Sequence, residues 1–158
     1  MKQIILLSTL LIFMACDDKN DESSPLVGTW ELSNLGEYAN SDCTGDIDYT
    51  AWGFIQAFGM MVTIVINEDG TGTFTLTFGS EKEEAALTWD DRKSQLCITG
   101  DCITYKLDGD SFTIDQPEEA YCEDDNFEET SHGTQTECET AGNTWNEASC
   151  SVMTFTKK

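Results

Sequence analysis

Positive charge is scarce in this chain. Of 158 residues, 8 are Lys or Arg and 30 are Asp or Glu, a formal charge of −22. That balance excludes a nucleic-acid binder, because phosphate contacts need basic side chains. It also disfavours adhesion to anionic lipid headgroups. An acidic, well-solvated surface is the expected consequence. Histidine is nearly absent: His132 stands alone in an acidic stretch, so no Ser-His-Asp set and no His-x-x-x-His pair can be assembled. There is no Gly-x-Ser-x-Gly and no phosphate loop. Glu68-Asp69-Gly70 and Asp108-Gly109-Asp110 read as turns, since a calcium loop needs a longer ligand series ending in Glu. No catalytic residues, metal or cofactor are expected, and the chain does not read as an enzyme. Long apolar runs are also missing. The one candidate, Ile4 to Phe13, falls short of the ~20 residues that span a bilayer.

Cysteine, by contrast, is plentiful. Seven in so short a chain point to an oxidising compartment. An odd count leaves one thiol to explain. Met1 to Ala15 reads as a secretory signal, with Lys2 as its positive region and Ile4 to Phe13 as its apolar core. Phe13-Met14-Ala15-Cys16 resembles the bacterial lipobox, in which a small residue precedes a cysteine that receives a diacylglycerol thioether. Ala15 and Cys16 carry the match; Phe13 replaces the usual Leu, and Met14 a commoner small residue. With Cys16 assigned to lipid, an even six remain: Cys43, Cys97, Cys102, Cys122, Cys138 and Cys150. Acyl chains anchor through buried CH₂ groups worth ~0.8 kcal/mol each. Residues 16–25 form a polar, acidic tether. An acidic run after the lipidated cysteine is similar to the surface-export signals of Bacteroidota lipoproteins. The resemblance implies an outer-membrane lipoprotein of the bacterial cell envelope, held to the membrane by Cys16 and exposed at the cell surface.

From residue 26 onward the chain reads as strands. Leu26 to Ser33 is the first, with Gly28, Trp30 and Leu32 on one face. Asn34 to Asp48 is a polar connection carrying Cys43. Tyr49 to Met60 has apolar residues spaced for one short helix that caps a barrel mouth or forms an exposed apolar patch. A meander follows, and side-chain parity counts its turns. Val62, Ile64 and Ile66 share a face with Phe74, Leu76 and Phe78, which needs an odd loop, Glu68-Asp69-Gly70. Ala85, Leu87 and Trp89 come next, after a four-residue loop at Ser80–Glu83. Leu96 and Ile98 follow the four residues Asp91–Ser94. A two-residue turn at Thr99-Gly100 pairs Leu96 with Ile103 and sets Cys97 opposite Cys102, both pointing outward. In a non-hydrogen-bonded pair their Cα atoms lie ~4.5 Å apart, within disulfide range. Ile103, Tyr105 and Leu107 then lead through Gly109-Asp110 to Phe112 and Ile114. Residues 116–149 break the rhythm and hold three cysteines' neighbourhood: Cys122, Cys138 and, just beyond, Cys150. Of the three pairings open to the other four cysteines, Cys138–Cys150 with Cys43–Cys122 is the expected one. A last strand, Ser151 to Lys157, carries Met153 and Phe155.

The count is eight strands, and Gly28-x-Trp30 at the head of the first resembles the opening of a lipocalin. The Glu68-Asp69-Gly70-Thr71 turn leading to Phe74 and the terminal Thr154-Phe155-Thr156-Lys157 extend the likeness to the lipocalin-like domain of bacterial lipoproteins, over residues 26–158. The expected fold is all-β: an eight-stranded antiparallel up-and-down barrel with one short helix and a disulfide-stapled insertion at 116–149. In lipocalins the tryptophan closes the barrel base under a late arginine. The only arginine here, Arg92, falls in a loop, so Lys157 or Lys158 would have to take that place. The resemblance implies a small apolar ligand inside the barrel, with Phe74, Leu76, Trp89 and Tyr105 as candidate contacts. Tyr105 is the one with a polar tip to orient a ligand. Large inner residues and short strands equally suit a filled barrel, since eight strands leave room for side chains or one small ligand. Two functions therefore compete: a monomeric binding module for an apolar ligand or extracellular partner, and a structural or interaction protein with a filled barrel.

Overall fold

A computed structural model describes residues 23–158. The expected signal at 1–15, the expected lipid anchor at Cys16 and most of the expected tether at 16–25 lie outside the described residues. In chain order the elements are β1 (Gly28–Tyr38), β2 (Ile47–Asp48), α1 (Thr50–Ala57), β3 (Met60–Ile66), β4 (Thr71–Phe78), β5 (Glu81–Asp90), β6 (Gln95–Ile98), β7 (Asp101–Asp108), β8 (Ser111–Glu118), β9 (Tyr121–Glu123), α2 (Gln135–Thr140), β10 (Thr144–Asn146) and β11 (Ser149–Lys157). Each of β3 to β8 pairs with its chain neighbour, β8 pairs with β11, and β11 pairs with β1. That last ladder, from Trp30 opposite Lys157 to Tyr38 opposite Cys150, closes an eight-stranded antiparallel barrel. The ring of eight is closed by its lower ladders, while the upper part of β5, Glu81–Ala86, is paired with β4 alone, because the β5–β6 ladder covers only Leu87–Asp90. The two residues of β2 pair beside the end of β1, at Glu37 and Tyr38, and β9 and β10 form a separate ribbon in the insertion.

The meander follows the parity of its sequence. Val62, Ile64, Ile66, Leu87, Leu96, Tyr105, Phe112, Ile114 and Phe155 are buried together with Trp30 and Leu32. Gly70 at φ +85° makes the loop after β3, where the Asn67 amide donates to the Thr71 carbonyl. Thr99 and Gly100 both take positive φ, as a two-residue hairpin turn requires. They put Cys97 opposite Cys102, and the expected disulfide is there with Cα atoms 4.0 Å apart. One loop is shorter than expected. Phe78 pairs with Glu81, so Gly79-Ser80 is a two-residue turn and not a four-residue loop; both lengths are even, so the inner face is unchanged.

The first strand differs more. Leu26 is buried but precedes the strand, and β1 runs five residues past Ser33 to Tyr38. A bulge between Leu32 and Asn34 explains the difference. The extra residue flips the parity, so that Leu35 and not Asn34 opposes Met153, and the even-numbered alternation stops at Leu32. Beyond the bulge Gly36 is buried on the outer face. A Cβ there would lie 2.3 Å from Ile47 Cγ2, so glycine lets β2 lie flat on β1.

Two disulfides correct the expected pairing. Cys43 bonds Cys150 and Cys122 bonds Cys138, in place of Cys138–Cys150 and Cys43–Cys122. Because β1 continues until Tyr38 faces Cys150, the chain leaving β1 passes beside Cys150. Cys150 itself belongs to β11, outside the insertion. Residues 119–148, a shorter stretch than the expected 116–149, project from the barrel. Within them Cys138, buried on α2, is stapled to Cys122 of β9. Helix α2 was not expected. Its signal is present in Thr134-x-x-Glu137: the Thr134 hydroxyl accepts from the Glu137 amide and donates to its carboxylate.

Candidate functional site

The barrel has a closed end and an open end, and they differ in chemistry. At the closed end Ser24 to Val27 crosses the base. Trp30 is fully buried, its indole N–H donating to the Leu26 carbonyl at 2.7 Å. Lys157 folds over the same ring, its Nζ 5.2 Å from the ring centroid and donating to the Pro25 carbonyl at 2.7 Å. Gly28 makes room: its φ is +141°, and a Cβ there would meet Lys157 Cε at 2.8 Å. Gly28 and Trp30 thus form a closure with Lys157 where the resemblance implied an arginine. Arg92 lies in the loop after β5. Above Trp30, Phe112 packs edge-on at 4.9 Å and stacks on Phe155 at 4.9 Å. Each such pair adds about 0.5–1.5 kcal/mol beyond area burial. This half of the interior is filled.

Two of the four candidate ligand residues belong to this closed half. The Tyr105 hydroxyl donates to Asp91 at 2.9 Å, and Asp91 also accepts from Ser24. Burial, reinforced by that carboxylate, pushes the Tyr105 phenol far above its ordinary value, so it stays a neutral donor. Trp89 donates its indole N–H to the Asn67 carbonyl at 2.8 Å. Both polar tips are already engaged in holding the base. Phe74 and Leu76 lie farther up β4, half-buried on the inner face above the packed core.

At the open end the inner face of β4 ends in Phe78. Here α1 lies beside the rim. Asp48 starts the turn into it, accepting from the amide and hydroxyl of Thr50; these bonds hold the Asp48 carboxyl below its usual range. Gly59 at φ +66° ends it, its amide donating to the Gln56 carbonyl. Between these stops the helix turns Trp52 toward the core, while Phe54 and Phe58 stay exposed by 61% and 64%. Phe58 meets Phe78 with ring centroids 6.5 Å apart. Phe54, Ile55, Phe58, Met60 and Phe78 line a shallow, open cup of about 330 Å³ with no polar residue in its lining. The expected helix at the barrel mouth is therefore an exposed apolar patch joined to the barrel's inner rim.

Two other recesses are polar or paired. One of about 470 Å³ opens where the β1–β3 ladder stops at Glu31–Thr63, between Trp52 and the Lys158–Glu31 ion pair. The other, about 920 Å³, lies between β1's exit and the insertion and is walled by Glu37, Asp42, Glu118 and Glu147. Among the described residues no group of three or more His, Cys, Asp or Glu is arranged to hold a metal. His132 lies in the insertion, beside Thr136 and Thr140 of α2.

No protein-family model, curated protein or solved structure matches this chain.

Proposed function

We propose that the protein is a lipid-anchored component of the bacterial cell envelope whose barrel binds a small apolar ligand, or an apolar group of an extracellular partner, at its open end. The observation that carries this reading is the cup of Phe54, Ile55, Phe58, Met60 and Phe78, whose aromatic rings are left in water on an otherwise strongly acidic chain. Exposed apolar patches rimmed by polar residues are where soluble proteins take ligands and partners. The lipobox-like Phe13-Met14-Ala15-Cys16 supports the anchor. The chain enters the barrel at its closed end, through Ser24 and Pro25, so the anchor joins the end opposite the cup. The competing reading, a non-binding structural or interaction protein, draws on the filled lower barrel and the stapled insertion.

A titration decides between them. The mature chain carrying Cys16→Ser is titrated with the neutral fluorescent probe N-phenyl-1-naphthylamine. Saturable binding is expected, weakened about tenfold or more by Phe58→Ala, since a Phe side chain buried against a ligand is worth roughly 1.5–3 kcal/mol. No saturable binding, or binding indifferent to Phe58, supports the structural reading and overturns the first.

A further inference from the structure

We propose that the open-end cup selects a cationic amphiphile: an apolar body seated among Phe54, Phe58 and Phe78 and a quaternary or primary ammonium held at the rim by Glu81 and Glu83. The inference rests on the binding reading above and names its ligand class. Directly opposed residues of an antiparallel pair share a face with Cβ atoms about 5 Å apart. In the β4–β5 ladder Phe78 is opposed by Glu81 and Leu76 by Glu83, in unbroken register down to Thr71 opposite Thr88. Glu81 and Glu83 thus share a face of β5 with Ala85 and Leu87, and Glu81 stands directly across from Phe78, a residue of the cup. Lys82 and Glu84 alternate to the outer face, where they pair with each other. Among the described residues neither Glu81 nor Glu83 has an ion-pair partner. No basic residue lines the cup. Three aromatic faces and two unpaired carboxylates attract an ammonium by quadrupole and by charge, and they repel a fatty-acid carboxylate or a phosphate.

Calorimetric titrations of the mature Cys16→Ser chain with decyltrimethylammonium, decanol and decyl sulfate, each below its micelle concentration, test this. The ammonium is expected to bind about tenfold tighter than decanol, and decyl sulfate weakest. In Glu81→Gln/Glu83→Gln the preference for ammonium over decanol should shrink to within about threefold. Asp108→Asn/Asp110→Asn removes the same charge at the opposite end and should keep the full preference. Equal binding of ammonium and decanol overturns the charge selection but leaves the apolar site standing. So does an equal loss of preference in the two double variants, which would assign it to the net charge of the whole chain. Absence of binding by all three ligands overturns both the selection and the reading it rests on.

Discussion

Replacing Lys157 with methionine isolates the closure at the base of the barrel. The substitution keeps a stem of similar length and removes the ammonium. Two interactions go with it. One is the charge-assisted hydrogen bond to the Pro25 carbonyl at 2.7 Å, a class worth roughly 1.5–3 kcal/mol when the donor is charged. The other is the contact with the Trp30 ring at 5.2 Å, worth about 0.5–1 kcal/mol where solvent reaches. Lys157 is half-buried, so water recovers part of the first. A net loss of about 1–2 kcal/mol is expected. Lys158→Met is the matched control. Lys158 pairs with Glu31 at 2.7 Å, but both side chains are substantially exposed, and such pairs are worth about 0–1 kcal/mol. Urea unfolding followed by Trp fluorescence reads both variants. Lys157→Met should lower the midpoint clearly with an unchanged slope, Lys158→Met barely, and Lys157→Arg should restore most of the loss. Equal midpoints for Lys157→Met and wild type would refute the closure role of Lys157.

The disulfides should differ in weight because they close loops of different length. Chain entropy gives about 4.8 kcal/mol for Cys43–Cys150, 3.1 for Cys122–Cys138 and 2.1 for Cys97–Cys102, from separations of 107, 16 and 5 residues. Pairwise Cys→Ala variants should rank in that order by urea midpoint, and non-reducing peptide mapping should recover a Cys43–Cys150 peptide; a Cys138–Cys150 peptide would contradict the fold at the β1 exit. Gly36→Ala should cost about 1–3 kcal/mol through its clash with Ile47 and should disturb α1, read as weaker probe binding at the cup. Asp69 accepts from the hydroxyl and amide of Thr71, which lowers its carboxyl below the usual value. A lowered folded pKa gives stability that is present above the ordinary carboxylate pKa and lost as pH falls through the folded one. The gap in stability between wild type and Asp69→Ala should therefore be full at about pH 6 and smaller at about pH 3. A gap that widens on acidification would contradict the sign.

The parity of the meander was legible from Val62 to Ile114 because that stretch contains no bulge, and every turn preserves the inner face. Cys97–Cys102 was legible for the same reason: its register is local. What the sequence did not reveal depends on long-range register. The bulge after Leu32 breaks the alternation of β1 and hides its last five residues, and with them the approach of Cys43 to Cys150. Period-two alternation reports which face a residue occupies, and Phe74, Leu76, Trp89 and Tyr105 share the inner one. Height along the barrel is not encoded that way. Trp89 and Tyr105 are engaged at the base, while the exposed cup draws on Phe54, Ile55, Phe58 and Met60, whose spacing fits a helix and its exit, and on Phe78, whose alternation fits the interior. Lys157, named only as a stand-in for a missing arginine, is the residue that covers Trp30.

On the proposed reading, ligand enters at the open end and stays above the filled base. A two-dimensional NMR titration of the labelled mature chain with decanol tests it most directly. Saturable shift changes are expected to be confined to Phe54, Ile55, Phe58, Met60 and Phe78 and their neighbours, with Trp30, Phe112 and Phe155 unmoved. Shifts centred on Trp30, Phe112 and Phe155, or no saturable shifts at all, would contradict it.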